Sequence, residues 1–412
     1  MPFSNHCFKL LVAFCLLCAS AYFSRADAFD NWTTVPITTN YNLFDAAYGN
    51  GRYIVGGQSK QTPDVAGIFA SDDGFNWITV AGNGNTNIFT YPKKIIFANG
   101  RFVAVGWAGG FCTSTNGLNW EAGSVQSLTP VLVSLYGLTF GNGKFVAVGD
   151  TTDYWTHQGS SYSTSTNIFT STDGINWTPR RSIVAVSSAK PISSVTYGNG
   201  NFLAVGEGGY LYSSSAAISW TRTLISGSNL ASIIFGNGTF VVANGSTSVL
   251  VANAPNSIPG WTPINPGDVQ ISRVRFDYGV FWGFSYDPIA STNGIVISRD
   301  GTNWIKKGYT THNVQPGNIP GGNRLIASSG TGVILSDLVA GIALRPGLPP
   351  QLDLSGITGS SYRIEYLNAS PINGSNTWQT LTNFILPGSP YTWTDSQATN
   401  SPQRYYRAVL LP

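Results

Sequence analysis

Two groups of side chains in this 412-residue chain have the makings of a binding or reactive site. The stretch DTTDYWTHQGSSYSTSTN (150–167) brings Asp150, Asp153, Tyr154, Trp155 and His157 close together. Tyr286 and Asp287 fall in an expected loop at 285–293, and Trp107 lies in another short loop. Aromatic rings beside carboxylates and amides suit sugar recognition, since rings cover C–H faces while a few polar groups fix hydroxyls. Two aspartates, Asp153 with Asp287 or Asp150, could also flank a glycosidic bond as acid and base. The competing reading is that Tyr154 and Trp155 fold back to cover their own sheet.

Other chemistries find less support. His157 and His312 stand alone, and no Asp-x-Asp or His-x-His ligand spacing occurs, so neither a metal nor a cofactor is expected. Asp72-Asp73 belongs to a turn. GEGGY (206–210) sits between strands rather than before a helix, so it is not a phosphate loop. Cys7, Cys15 and Cys18 lie in the first 28 residues, which leaves Cys112 alone beyond them. No internal disulfide can then form, and Cys112, on an expected strand, reads as a buried inert thiol.

These groups hang on a repeat. AAYGNGRYIVGG (46–57), IIFANGRFVAVG (95–106), LTFGNGKFVAVG (138–149), VTYGNGNFLAVG (195–206) and IIFGNGTFVVAN (233–244) are near copies. VRFDYGVFWGFS (274–285) and NIPGGNRLIASS (318–329) are worn ones. Each sets two apolar, β-rich runs around an Asn-Gly pair or its equivalent, the strongest short hairpin signal. The markers Asn50, Asn99, Asn142, Asn199, Asn237, Tyr278 and Gly322 are 38 to 57 residues apart. Several short strands in a unit of that length read as one blade of a β-propeller.

A second motif runs in phase: SDDGFNW (71–77), STNGLNW (114–120), STDGINW (171–177), SSAAISW (214–220) and SRDGTNW (298–304), with a sixth-repeat trace ending at Trp261. Its Asp-Gly pair supplies positive φ, and the Ser and Asp side chains can bind nearby amides. The pattern Ser-x-Asp-Gly-x-x-Trp resembles the Asp-box, or BNR, repeat of sialidase-like β-propellers. It is carried by Ser71, Asp73, Gly74 and Trp77, by Ser171, Asp173, Gly174 and Trp177, and by Ser298, Asp300, Gly301 and Trp304. The resemblance implies a turn-stabilising role for these residues, away from any active site. It also implies what a sialidase would carry: an Arg triad, a Tyr-Glu pair, an Asp acid/base and an Arg-Ile-Pro motif. None of these is found, so no catalytic residue is assigned.

The expected architecture is all-β, a seven-bladed propeller over 29–342. Residues 30–37, with Asn31-Trp32 in the phase of Asn76-Trp77, would supply the outer strand of the last blade and close the ring. A Pro-rich linker is expected at 343–350. The strands of 351–412, with YRIEY and RYYRA, resemble the small immunoglobulin- or fibronectin-III-like module that ends many secreted bacterial proteins. Residues 1–28 read as a secretory signal peptide, with cleavage expected after Ala28 and no spanning segment beyond it.

Charged residues are only 10% of the chain and the net charge is +3, with no basic stripe visible, so no nucleic-acid partner is expected. A monomer is the default. Both tight turns fall on one face, and the variable connections on the other, where insertions build binding surfaces. The expectation is a secreted or surface-attached, non-catalytic binding or scaffold protein that recognises a glycan or an envelope partner. The alternative is a glycoside-acting hydrolase or lyase using the same face.

Overall fold

A computed structural model describes residues 29–411 other than 30–31, 38–39, 62–64, 82–91, 108–109, 126–133, 151–167, 181–190, 254–259, 289–291, 311–314, 317–323, 330–331, 339, 346–348, 369–377, 390 and 399–403. Among the described residues the regular elements are strands and short 3-10 turns. Seven antiparallel sheets follow one another along the chain, each of four strands except the third, which gains a short parallel edge strand, Ser124–Val125. In the first six, the chain enters on the inner strand and steps outward. The inner strands are Tyr41–Gly49, Pro92–Ala98, Ser134–Gly141, Ile192–Gly198, Ser232–Gly236 and Gln270–Asp277.

The seventh sheet is built from both ends of the propeller. Trp32–Pro36 pairs antiparallel with Gly332–Leu338, with Trp32 opposite Ser336 and Pro36 opposite Gly332. The expected closing strand is therefore present. Phe29, just before it, is fully buried against Trp282, Ile295 and Ile297 of the sixth sheet.

The inner hairpins of the first five blades turn on their Asn-Gly pairs, both residues at positive φ (Asn50 at 49° and Gly51 at 76°, for example), and the sixth turns on Tyr278-Gly279 in the same conformation. This is the type I′ geometry that matches strand twist. The glycine one place earlier has a different reason. A Cβ on Gly49 would lie 2.0 Å from Cγ of Phe97 in the next blade, and one on Gly198 would lie 2.1 Å from Cγ of Phe235. An aromatic two residues before the turn thus presses on the preceding blade's glycine, and Gly141 with Tyr197 and Gly236 with Phe276 repeat the contact, whereas Ala98 and Asp277 stand at that place in the second and sixth blades.

The Ser-x-Asp-Gly turns form as their residues require. In the third blade the Ser171 hydroxyl donates to Asp173 Oδ1 at 2.8 Å and accepts the Gly174 N–H. Asp173 also accepts the N–H groups of Ile175 and Asn176, and the Trp177 indole N–H donates to the Gly174 carbonyl. Trp177 stacks on Phe111 of the second blade at 4.3 Å. The 71–77 and 298–304 turns repeat the scheme, and Asn116 replaces the aspartate in the 114–120 turn with little loss. The worn copies fare worse. Ala217 takes the glycine position at φ +59°, and the buried indole N–H groups of Trp220 and Trp261 have no partner. Trp261 precedes the strand Thr262–Ile264 of the fifth sheet, not the sixth as its sequence trace implied.

Two three-stranded sheets follow, around a core of Leu352, Leu354, Tyr362, Ile364 and Leu386. Ala340–Arg345 pairs with Gln351–Gly356, so the second unit begins before the expected linker, whose residues 343–345 lie in a strand. This unit rests on the sixth blade. Ile357 joins the Phe29–Trp282 cluster, and Arg299 donates to the Thr358 carbonyl at 2.6 Å.

Candidate functional site

The six inner strands surround a cavity of about 1070 Å³ on the propeller axis. Its walls follow the repeat. Counting back five places from each turn marker gives Asp45, Lys94, Gly137, Ser194, Ser232 and Arg273. Three of these perform one structural task. Asp45 Oδ2 accepts the Ile95 N–H at 2.9 Å, Ser194 Oγ accepts the Ile233 N–H, and Ser232 Oγ accepts the Val274 N–H. Each ties its inner strand to the next blade.

The residue before this position sits at a register shift in five of the six strands: Phe44, Lys93, Tyr136, Ser193 and Ser272. A bulge re-aims a side chain, and all five line the cavity. They lie near the strand starts, so this end of the channel opens on the face where the variable connections join.

The wall is strongly cationic along one arc. Lys93 and Lys94 come from blade two, Arg273 and Arg275 from blade six, and Asp45 from blade one between them. Arg275 reaches Asp45 Oδ1 at 2.9 Å, while Lys94 reaches Oδ2 at 3.1 Å. Asp45 is almost fully buried. Lys93 lies 3.5 Å from the centre of the Phe44 ring. Among the described residues, the carboxylate that lines the cavity itself is Glu207 of blade four, while Asp45 lies buried behind Lys94 and Arg275.

Burial of charge sets the electrostatics. Loss of water around Lys94, with Arg275 beside it, outweighs Asp45 and pushes its ammonium down to about 7. Burial, then Arg273, lowers Lys93; burial, then Arg275, lowers Arg273. The Arg273 side chain is exposed on the channel wall. A cation crowd in a low-dielectric tube attracts anions.

The residues singled out from sequence lie elsewhere. Asp153, Tyr154, Trp155 and His157 fall outside the described residues. Tyr286 and Asp287 are not in a loop: they end the strand Val280–Asp287, opposite Asn293 and Thr292. Tyr286 is exposed, and Asp287 pairs with Lys306 at 3.4 Å. Trp107 is exposed just beyond the strand Arg101–Gly106, at the position in its repeat that Tyr286 holds in its own. Cys112 is fully buried, which pushes its thiol up to about 12. The cationic arc was missed because no basic stripe exists in linear order; aligning the repeats five places before each turn would have exposed it.

No protein-family model matches the chain, and no curated protein matches its sequence. Solved structures do match. One described as "YCF48 bound to D1 peptide" shares 13% identity at a TM-score of 0.55, covering 76% of this chain and 97% of that one. YCF48 from Cyanidioschyzon merolae shares 17% at 0.53, covering 74% and 98%. A streptogramin B lyase shares 11% at 0.53, covering 76% and 100%. At these identities the likeness is one of fold, a β-propeller. No helix among the described residues is long and apolar enough to cross a membrane.

Proposed function

We propose that this chain is a secreted or surface-attached binding or scaffold propeller, which receives a partner on the face bearing its variable connections. The observation that carries this is the channel mouth at the centre of that face, ringed by bulged side chains that five blades supply from the same repeat position. Propellers of this shape include one described with a bound peptide and one named a lyase, so architecture alone leaves binding and catalysis both open. The wall chemistry favours binding. Its buried carboxylate, Asp45, is held by Lys94, Arg275 and a backbone N–H, which suits ring closure rather than proton transfer.

Among partners, we favour an extended segment of an envelope protein. A glycan is the second reading, supported by Trp107 and Tyr286, which stand exposed at equivalent positions on the same face. The hydrolase reading needs Asp287 as a free carboxylate, and its pairing with Lys306 weighs against it.

The test screens residues 29–412 against a phage-displayed peptide library and a glycan array, beside a 151–166 deletion and a Ser272→Trp channel block. Peptides that bind the parent and lose binding in Ser272→Trp support the proposal. Glycan binding that depends only on 151–166 would move the site to the loops. Turnover of any array glycan would revive the hydrolase.

A further inference from the structure

Resting on that reading, we infer that the cationic arc of the channel is an anion site, in which Arg273, with Lys93 beside it, grips a carboxylate. The argument begins with Asp45. One of its oxygens takes Arg275; the other takes both Lys94 and the Ile95 N–H. Its charge is therefore spent on two of the four cations. Arg273 forms no hydrogen bond or ion pair with any described residue, although it sits within the field of both Arg275 and Asp45. The carboxylate that lines the channel among the described residues, Glu207, stands on blade four, across the ring from the arc.

Among the described residues, four cations against the buried Asp45 and the remote Glu207 leave this wall with a net positive charge. Like charges crowded on one wall repel one another, and the surrounding protein already disfavours the charged forms of Lys93, Lys94 and Arg273. An arriving anion relieves this repulsion. The guanidinium of Arg273 offers a planar donor fork that matches a carboxylate, and Lys93, set on a bulge beside it in the field, adds a point charge. The phenol of Tyr136 and the hydroxyls of Ser193 and Ser272 supply neutral polar groups around the mouth.

The source of the carboxylate is either a small free acid or an acidic peptide end, and the experiment separates them. The chain 29–412 is titrated at pH 6.5 and low salt with citrate and with a hexaglutamate peptide by calorimetry. Arg273→Gln is compared with the parent, with Arg273→Lys and with Lys306→Gln as a control cation outside the channel. Binding of either probe that weakens at least tenfold in Arg273→Gln, partly returns in Arg273→Lys and is unchanged in Lys306→Gln supports the site. Citrate binding alone marks a small-acid pocket; hexaglutamate binding alone marks a segment-binding groove. No binding of either probe, or equal binding to parent and Arg273→Gln, overturns the inference. If library peptides still depend on Ser272 in that event, the partner face stands without its anion site.

Discussion

Asp45 and Arg275 meet at 2.9 Å although 230 residues separate them in the chain. One comes from the first blade and the other from the sixth, so their ion pair reaches around the seam where the two ends of the propeller join. With Lys94 of the second blade on its other oxygen, Asp45 holds three blades together at the channel wall. Its replacement by Asn leaves two buried cations short of their counter-charge. Asp45→Asn should destabilise the protein by roughly 3–5 kcal/mol, read from urea unfolding. A change below about 1 kcal/mol would mean the network is not buried as described.

Lys94 gives the network a pH signature. The groups around it are Asp45, Lys93, Arg273 and Arg275. Its ordinary value is 10.5 and its folded value about 7, so between these the unfolded chain holds a proton that the folded chain has shed. Stability should therefore rise with pH from 7 upward on account of this group. Above 9 the raised thiol of Cys112 works in the opposite sense, so the comparison belongs at pH 7–9. Lys94→Met should flatten the rise; an identical slope in parent and variant would show that Lys94 stays charged.

The Ser-x-Asp-Gly turns predict acid sensitivity. The Asn76 N–H and side-chain amide, with the Phe75 N–H, hold Asp73 below the usual carboxylate range. At Asp173 and Asp300 burial acts upward, but the amides of Asn176 and Asn303 and their neighbours outweigh it. Folded values below the ordinary one add stability that is present above pH 4 and lost as pH falls through the folded values. Asp173→Asn, which copies the natural Asn116 turn, should unfold less steeply with acid while remaining folded at pH 7. Parent-like acid unfolding would remove these turns from the cause.

The worn fourth turn can be mended. Ala216 stands where other copies have Asp, and the Trp220 indole N–H lacks a partner. Ala216→Asp would accept the Ile218 and Ser219 N–H groups and lie near Lys144, which already reaches the Ala216 carbonyl. A gain of about 1 kcal/mol is expected in the unfolding midpoint. No gain would show that the strained Ala217 backbone, not the missing carboxylate, limits this turn.

Phe29 should couple the propeller to the C-terminal unit. Phe29→Ala empties a fully buried site shared with Trp282 and Ile357, at a cost of about 3–5 kcal/mol. Limited proteolysis should then release the unit after residue 338 sooner than in the parent, and equal release would place the docking elsewhere.

The scaffold was legible because its signals are local. Asn-Gly and Asp-Gly turns declare themselves within a few residues, and the Trp32 strand could be matched in phase to Trp77. The channel was not legible by the same means. Asp45, Lys94, Arg273 and Arg275 lie in strands that read as generic β, and their charges nearly vanish in a balanced composition. Only the ring brings them together. The boundary at 340 was missed because proline was read as a linker signal, whereas Ala340–Arg345 pairs before the prolines begin.

The most direct test of the account is a parallel peptide-library selection on the parent chain 29–412 and on Ser272→Trp. The account predicts peptides enriched in Asp and Glu that bind the parent and lose at least tenfold in affinity for the blocked channel. Peptides of no common charge, or equal binding to both proteins, would contradict it.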